Sequence, residues 1–480
     1  MVRAMLARDP HPDSAAVAAP DAWGWAAWRT DVLETLRLAW PMALTQLGQV
    51  AMMTTDLVLL GYLGDRVVAA AALANTVLFG AFTIGLGFVS AVAPLASQAF
   101  GARDPRMVRR ALRIGLWAVA VLGVPLSLLQ MWGEDILLAL GQAPEAAAIA
   151  GRYLTSLGWS LMPAWAFMVV RNFMGAVNRP EPALWITLAA IPANAGLAWV
   201  LMFGGFGLPA LDVLGAGLAT TLVNLGMCAA ALVVCNTQRP FRKYHVLGRF
   251  WRPDWQLAGK LAAVGAPITG AFLLEFGAFS AAALFMGLIS TVALAAHQIA
   301  LQVAAIVFMV PFGISLAATV RVGHAVGRRD MPAVRRAGFA ACGLGLVFMG
   351  VMTVVVALTR HVIPLAFLGG DAASAPETRA LAAVLLALAT SFFLADGLQT
   401  IAGGALRGLN DTRVPLVFAG IAFWPIGMLA GYLLAFDAGV GAPGIWIGLS
   451  LGLIVQAILL VGRFQVLTRR GRLPEVLHAT

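Results

Sequence analysis

Charged residues are scarce in this chain of 480 residues. Asp, Glu, Lys and Arg together make up 11% of it, against about 25% in a soluble protein. A water-soluble globular fold is thereby excluded. Cysteine is scarcer still. Cys228, Cys235 and Cys342 are the only three; they lie in apolar stretches, in odd number and without metal-ligand spacing. Neither a disulfide framework nor a zinc site is indicated. The HExxH, GxSxG and GxxxxGK[ST] signatures are missing, so no enzyme is indicated, nor an ATP-driven pump within this chain alone. Residues 1–35 lack an apolar run ahead of a small-residue cleavage site, so no secretory leader is expected.

What is abundant is apolar residues. Hydrophobic residues make up 61% of the chain and mean hydropathy is +0.87. These residues fall in many long runs, which implies membrane-spanning helices; a β-barrel shows only weak alternation. Residues 1–35 read as a loose tail ending in a short interfacial helix marked by Trp23, Trp25 and Trp28. Twelve spans follow, near 36–62, 67–100, 108–131, 145–178, 183–204, 212–236, 256–288, 292–326, 332–358, 378–409, 413–436 and 443–468. With the first loop outside, only Arg66, Arg152, Arg360 and Arg379 of the 32 Lys and Arg fall on the outer side, leaving 28 within. That bias places both termini in the cytoplasm. It accounts for the net charge of +10 without nucleic acid. The expected location is a bacterial inner (plasma) membrane, as a monomer among lipids.

The chain is doubled. At an offset of 226, QAFGARDPRMVRRA (98–111) lies over HAVGRRDMPAVRRA (324–337), and Pro41 over Pro267. At an offset of 232, GAVNRP (175–180) lies over RGLNDT (407–412). Six spans per half give both halves the same orientation, so these are parallel repeats with the path for cargo at their interface. The expected domains are a tail (1–35), an N-terminal lobe (36–236), a basic linker (237–255), a C-terminal lobe (256–468) and a tail (469–480).

Three spans contain an acid: Asp56, Glu275 and Asp396. A charged side chain in the bilayer centre costs about 2.5–3.5 kcal/mol on insertion scales. No basic residue lies at helical spacing from them in the sequence. Each could be a structural acid bonded to a neighbouring helix, but three together point to a site that holds a proton or a passing cation. Glu275 and Asp396, both in the second half, form a candidate Na⁺ or H⁺ site if their spans adjoin. Asp56 is expected to tune coupling in the first half.

Helical spacing names neighbours. Asp396 shares a face with Gln399 and Phe392, and Asp56 with Gln49 and Met52. Asn194, Gln298 and Gln302 are further candidates for a substrate cavity; polar residues in spans also serve simply to join helices. His297 and His324 read as structural.

The chain resembles the MATE (multidrug and toxic compound extrusion) family, in its NorM-like branch, from about Leu38 to Arg463. LAWPMALTQLGQVAMMTTDLVLLGYLG is similar to the family's opening helix. VAPLASQAFGARD, AAHQIALQVAAIVFMVPFGISLAATVRVGHAVG and DGLQTIAGGALRGLNDTRVP are similar to its later signatures, in the right order. The resemblance implies an all-α fold of two pseudo-symmetric six-helix bundles around a V-shaped central cavity. It implies antiport: export of small organic cations, amphipathic and toxic, in exchange for Na⁺ or H⁺, with no other cofactor. It matches Asp56, Glu275 and Asp396 to the family's essential acids and Asn194 to a polar residue of span five. Ala190 departs from the pattern, since family members often carry a second Asn there. The alternative is a flippase or exporter of a lipid-linked or other endogenous metabolite. An anionic pyrophosphate would call for basic residues deep in the spans, whereas those here lie near span ends.

Overall fold

The computed structural model describes residues 24–205, 207–246, 248, 251, 254–367 and 375–470. Within them, twelve helices are long and apolar enough to cross a membrane. They are α1 (Trp25–Gly61), α2 (Arg66–Gly101), α3 (Pro105–Ala139), α4 (Pro144–Ala176), α5 (Glu181–Phe203), α6 (Asp212–Thr237), α7 (Trp255–Ile289), α8 (Thr291–Gly327), α9 (Met331–Thr359), α10 (Pro376–Gly408), α11 (Arg413–Asp437) and α12 (Ala442–Arg469). The protein is all-helical, as expected. The separate interfacial helix is not. Trp25 to Gly61 is one continuous helix, because no Gly or Pro interrupts residues 25–40. Residues 1–23, with Trp23, lie outside the described residues.

The repeat is visible in the backbone. Arg103 and Arg329 take left-handed φ values of 57° and 58°, and Asn178 and Asn410 take 60° and 58°. Each pair is related by its sequence offset, and the Asn pair suits a conformation that Asn tolerates well. After the first pair, Asp104 and Asp330 cap the next helices: Asp104 accepts from the amides of Arg106 and Met107, and Asp330 from that of Ala333, all at 3.0 Å. A proline follows each cap within two residues, where a missing N–H costs nothing. The chain reads alike here because the same turn is built twice.

The halves meet reciprocally. The first helix of each reaches into the other's core: Leu38, Ala39 and Met42 of α1 pack with α8, α9, α10 and α12, while Leu257, Leu261 and Ile268 of α7 pack with α2, α3 and α4. Gly101 and Gly327 close the contact between α2 and α8; a Cβ on either meets backbone of the opposite helix. The linker is less loose than its charge suggests, since Phe241 and Tyr244 are buried against Phe173.

On the side of the basic loops, a polar latch spans the halves. Asp31 accepts from Arg321 Nη2 at 2.5 Å and Arg336 Nε at 2.8 Å. Glu34 also pairs with Arg321. Gln98 donates to the Gly408 carbonyl at 2.8 Å and accepts from Asn410 at 2.9 Å. His324 Nε2 lies 2.7 Å from the Ala176 carbonyl; an N–H there donates, consistent with a structural histidine.

Candidate functional site

The C-terminal half brings Glu275 of α7 and Asp396 of α10 together. The Gln399 amide nitrogen lies 3.2 Å from Glu275 Oε1, 3.3 Å from Asp396 Oδ1 and 3.1 Å from Thr400 Oγ1. Gln399 and Asp396 are one turn apart on α10, as their spacing predicted. One amide therefore tethers two carboxylates on different helices. Asp396 and Gln399 are buried, and Glu275 is half-buried. Two carboxylates that share one amide in an apolar setting repel one another.

No basic residue lies at helical spacing from the acids, but across helices the Arg407 guanidinium stands within electrostatic reach of Glu275. Arg407 also donates to Ser315 Oγ at 2.8 Å and lies 5.7 Å from the centre of the Phe272 ring. It falls in the last turn of α10, so sequence position alone suggested a solvated end. The side chain instead turns inward, onto Ser315 of α8 and the Phe272 ring of α7.

In the N-terminal half, Asn194 of α5 donates to Asp56 Oδ1 at 2.5 Å and Thr220 of α6 to Oδ2 at 3.1 Å. Two separate candidates, Asp56 and Asn194, are thus joined; the sequence reading did not name Thr220, nor Tyr153, which lies within electrostatic reach. Ala190 is a buried core residue, and Thr220 supplies the second polar contact to Asp56.

Other candidates are scattered. Gln49 lies not on Asp56 but 3.5 Å from Arg171 Nη1, which donates to Gln46 at 2.7 Å. Phe392 is 1% exposed, packed on Phe393 and Trp446; it is core rather than cavity wall, because α12 covers that face of α10. Gln298 and Gln302 are exposed on one stripe of α8 with Ala295 and Ile306. The buried His297 accepts from Trp446 Nε1 at 3.2 Å. Among the described residues no group of three or more His, Cys, Asp or Glu is positioned to hold a metal ion.

The comparisons with known proteins agree with this architecture. The family profile described as MatE matches twice, over residues 41–200 and 267–433, one match in each half. A relative in Rhodopseudomonas palustris, described as a probable multidrug resistance protein NorM, is 62% identical over 98% of both chains. One in Bradyrhizobium diazoefficiens with the same description is 57% identical over 92% of this chain and 94% of its own. Among solved structures, the eukaryotic MATE transporter AtDTX14 superposes with a TM-score of 0.83 at 21% identity, covering 93% of this chain and 99% of that one. An outward-facing multidrug resistance MATE transporter of the MOP superfamily gives 0.82 at 18% identity, covering 92% and 96%. A profile that fits both halves, relatives matching end to end and a shared twelve-span fold lead to one conclusion: this chain belongs to the MATE family of membrane transporters and is not an enzyme.

Proposed function

We propose that the chain is a secondary antiporter that expels cationic, amphipathic organic compounds in exchange for Na⁺ or H⁺. The observation that carries the reading is the Glu275–Gln399–Asp396 bridge. It offers up to four carboxylate oxygens in an apolar site, and its charge state changes when a small cation enters or leaves. The descriptions of the relatives as multidrug resistance proteins support the choice of cargo. Asp56, steadied by Asn194 and Thr220, belongs to the cargo side of the exchange. Ion and cargo need only differ in their preference between two states of the transporter to drive one another.

The N-terminal lobe (36–236), extended back along α1 to Trp25, and the C-terminal lobe (256–468) rock about an axis along the membrane normal. The basic side faces the cytoplasm and holds both termini, in the bacterial inner membrane, with a monomer as the working unit. A cation entering toward a negative cytoplasm gains about 2.3 kcal/mol per 100 mV. The flippase alternative loses part of the argument against it, since Arg171 is buried and Arg407 half-buried rather than solvated; the identity to the NorM relatives keeps drug efflux ahead.

The test is efflux from proteoliposomes with Na⁺ and pH gradients set independently. Efflux that follows one gradient names the ion, and efflux that follows neither sinks the reading. An impermeant thiol reagent added from outside should reach a cysteine at Ala143 and miss one at Lys243; the reverse pattern would overturn the orientation.

A further inference from the structure

The halves meet backbone to backbone at two crossings that the repeat relates. On one flank α2 crosses α7, where a Cβ built on Gly87 would lie 2.6 Å from the Thr269 Cα. On the other flank α8 crosses α1, where a Cβ built on Gly313 would lie 2.5 Å from the Ala43 Cα. Gly313 stands 226 residues beyond Gly87, and Thr269 stands 226 beyond Ala43. The same contact is thus built twice, glycine against backbone, with its partners exchanged between the halves. The first crossing carries a hydrogen bond, donated by Thr269 Oγ1 to the Ile84 carbonyl at 3.1 Å. Ala43 has no hydroxyl to repeat it.

Other fastenings between the halves lie toward the basic side. Gly101 stands fourteen residues beyond Gly87, as Gly327 does beyond Gly313, about 20 Å along the helix. There α2 and α8 close on each other. The ion pairs at that end also follow the repeat: Arg110 reaches Asp254 at the start of α7, and Arg336, 226 residues on, reaches Asp31 of α1. A passage cannot open toward the basic side unless these contacts part. The glycine crossings need not part. Where glycine rests on backbone, no side-chain ridge sits in a groove, and the close approach is made by small residues. The crossing angle can therefore change without side chains unlocking.

We propose that these crossings are the two pivots of the transporter: Gly87 stays on Thr269 and Gly313 on Ala43 while the contacts on the basic side part and re-form. The inference rests on the reading above that the halves move against one another, and adds the contacts that persist through the motion. Two pivots on opposite flanks let one half tilt on the other and keep the pair from sliding apart.

Spin-label distances in the full chain, held in lipid nanodiscs at acid and neutral pH with and without Na⁺, test this. Three exposed pairs span the halves: Arg106 with Pro332 on the basic side, Ala143 with His361 on the opposite side, and Leu44 of α1 with Leu273 of α7 near the crossings. In labelled chains that still expel ethidium, an amphipathic organic cation, the first two distances should change in opposite directions and the third should stay fixed. If all three change, the pivots are overturned and the moving halves stand. If none changes although the same chains pump, both are overturned. A second measure is Gly313→Ala, whose Cβ must push two backbones apart; ethidium efflux should fall about tenfold or more. Gly80→Ala on α2, where a Cβ meets nothing within 4 Å, should pump as wild type does. Equal efflux from the two folded variants would also overturn the pivots. The distances need neither glycine changed, so the test survives a variant that fails to fold.

Discussion

The two halves build the same scaffold and fill it with opposite electrostatics. In the C-terminal half two carboxylates converge on one amide, with an arginine nearby. In the N-terminal half a single carboxylate is held by an amide and a hydroxyl, and the arginine lies against neutral glutamines. The loops that reverse the chain are repeated almost residue for residue; the chemistry inside is not. Pseudo-symmetry is thus preserved where it sets the backbone, and broken in the polar side chains packed inside each half.

The sharpest way to break this comparison is to neutralise the acidic pair. Glu275→Gln and Asp396→Asn should each reduce ion-driven efflux from proteoliposomes to the level of protein-free vesicles, a loss of a hundredfold or more. Wild-type rates from both would remove the ion site. Asp56→Asn, in the other half, should cost less: about tenfold in efflux efficiency, with dependence on the ion gradient retained. Loss of ion dependence in that variant would mean that the halves do not divide the work.

The latch between the halves gives a third contrast. Asp31→Asn leaves Arg321 and Arg336 without their shared charge, and breaking a buried pair from one side costs about 3 kcal/mol. Amide hydrogen exchange in residues 92–101 and 315–327 should then speed up, while exchange around Asp56 stays as in wild type. An unchanged pattern would show that the carbon packing alone holds the halves.

The smallest effect lies at the entrance to α7. Arg110 Nε donates to Asp254 Oδ2 at 2.6 Å, linking the halves at the surface, and the Leu257 amide donates to its Oδ1 at 3.2 Å. Partial burial alone would raise the Asp254 carboxyl. The Arg110 and Leu257 bonds and the Arg110 and Arg113 charges outweigh it and hold the group below the usual carboxylate range. A carboxylate held low in the folded chain contributes stability above its unfolded value of about 3.9 and loses it as pH falls through the folded one. Asp254→Asn should lower the melting temperature by a degree or two at pH 7, an effect of under about 1 kcal/mol. The gap between variant and wild type should close toward pH 3; a gap that is independent of pH would trace it to lost packing.

Much of the fold was legible because membrane spans are long apolar runs and the reversing turns carry strong local signals: Asp before Pro, Asn at a left-handed position. The three acids and Asn194 were legible because polar residues in such runs are conspicuous. Thr220 and Thr400 were not, since a threonine in a helix satisfies itself on the preceding turn and looks inert. Arg171 and Arg407 were misleading for another reason. Position near a helix end says nothing about which way a long side chain turns, and only the packing of α1, α7 and α8 directs them inward. Phe392 failed the other way: helical spacing set it beside Asp396, but α12 covers it.

Asp31 between two arginines, with Gln98 reaching across to Gly408 and Asn410, seals one end of the molecule. A passage open at both ends would short-circuit the membrane, letting the coupling ion run down its gradient with no cargo moved. Because ions and amides join the carbon packing at this seal, the strength of the contact depends on salt and desolvation as well as on apolar burial. Its strength sets the idling current of the transporter: too weak, and the cell dissipates its gradient at rest; too strong, and the molecule never turns over.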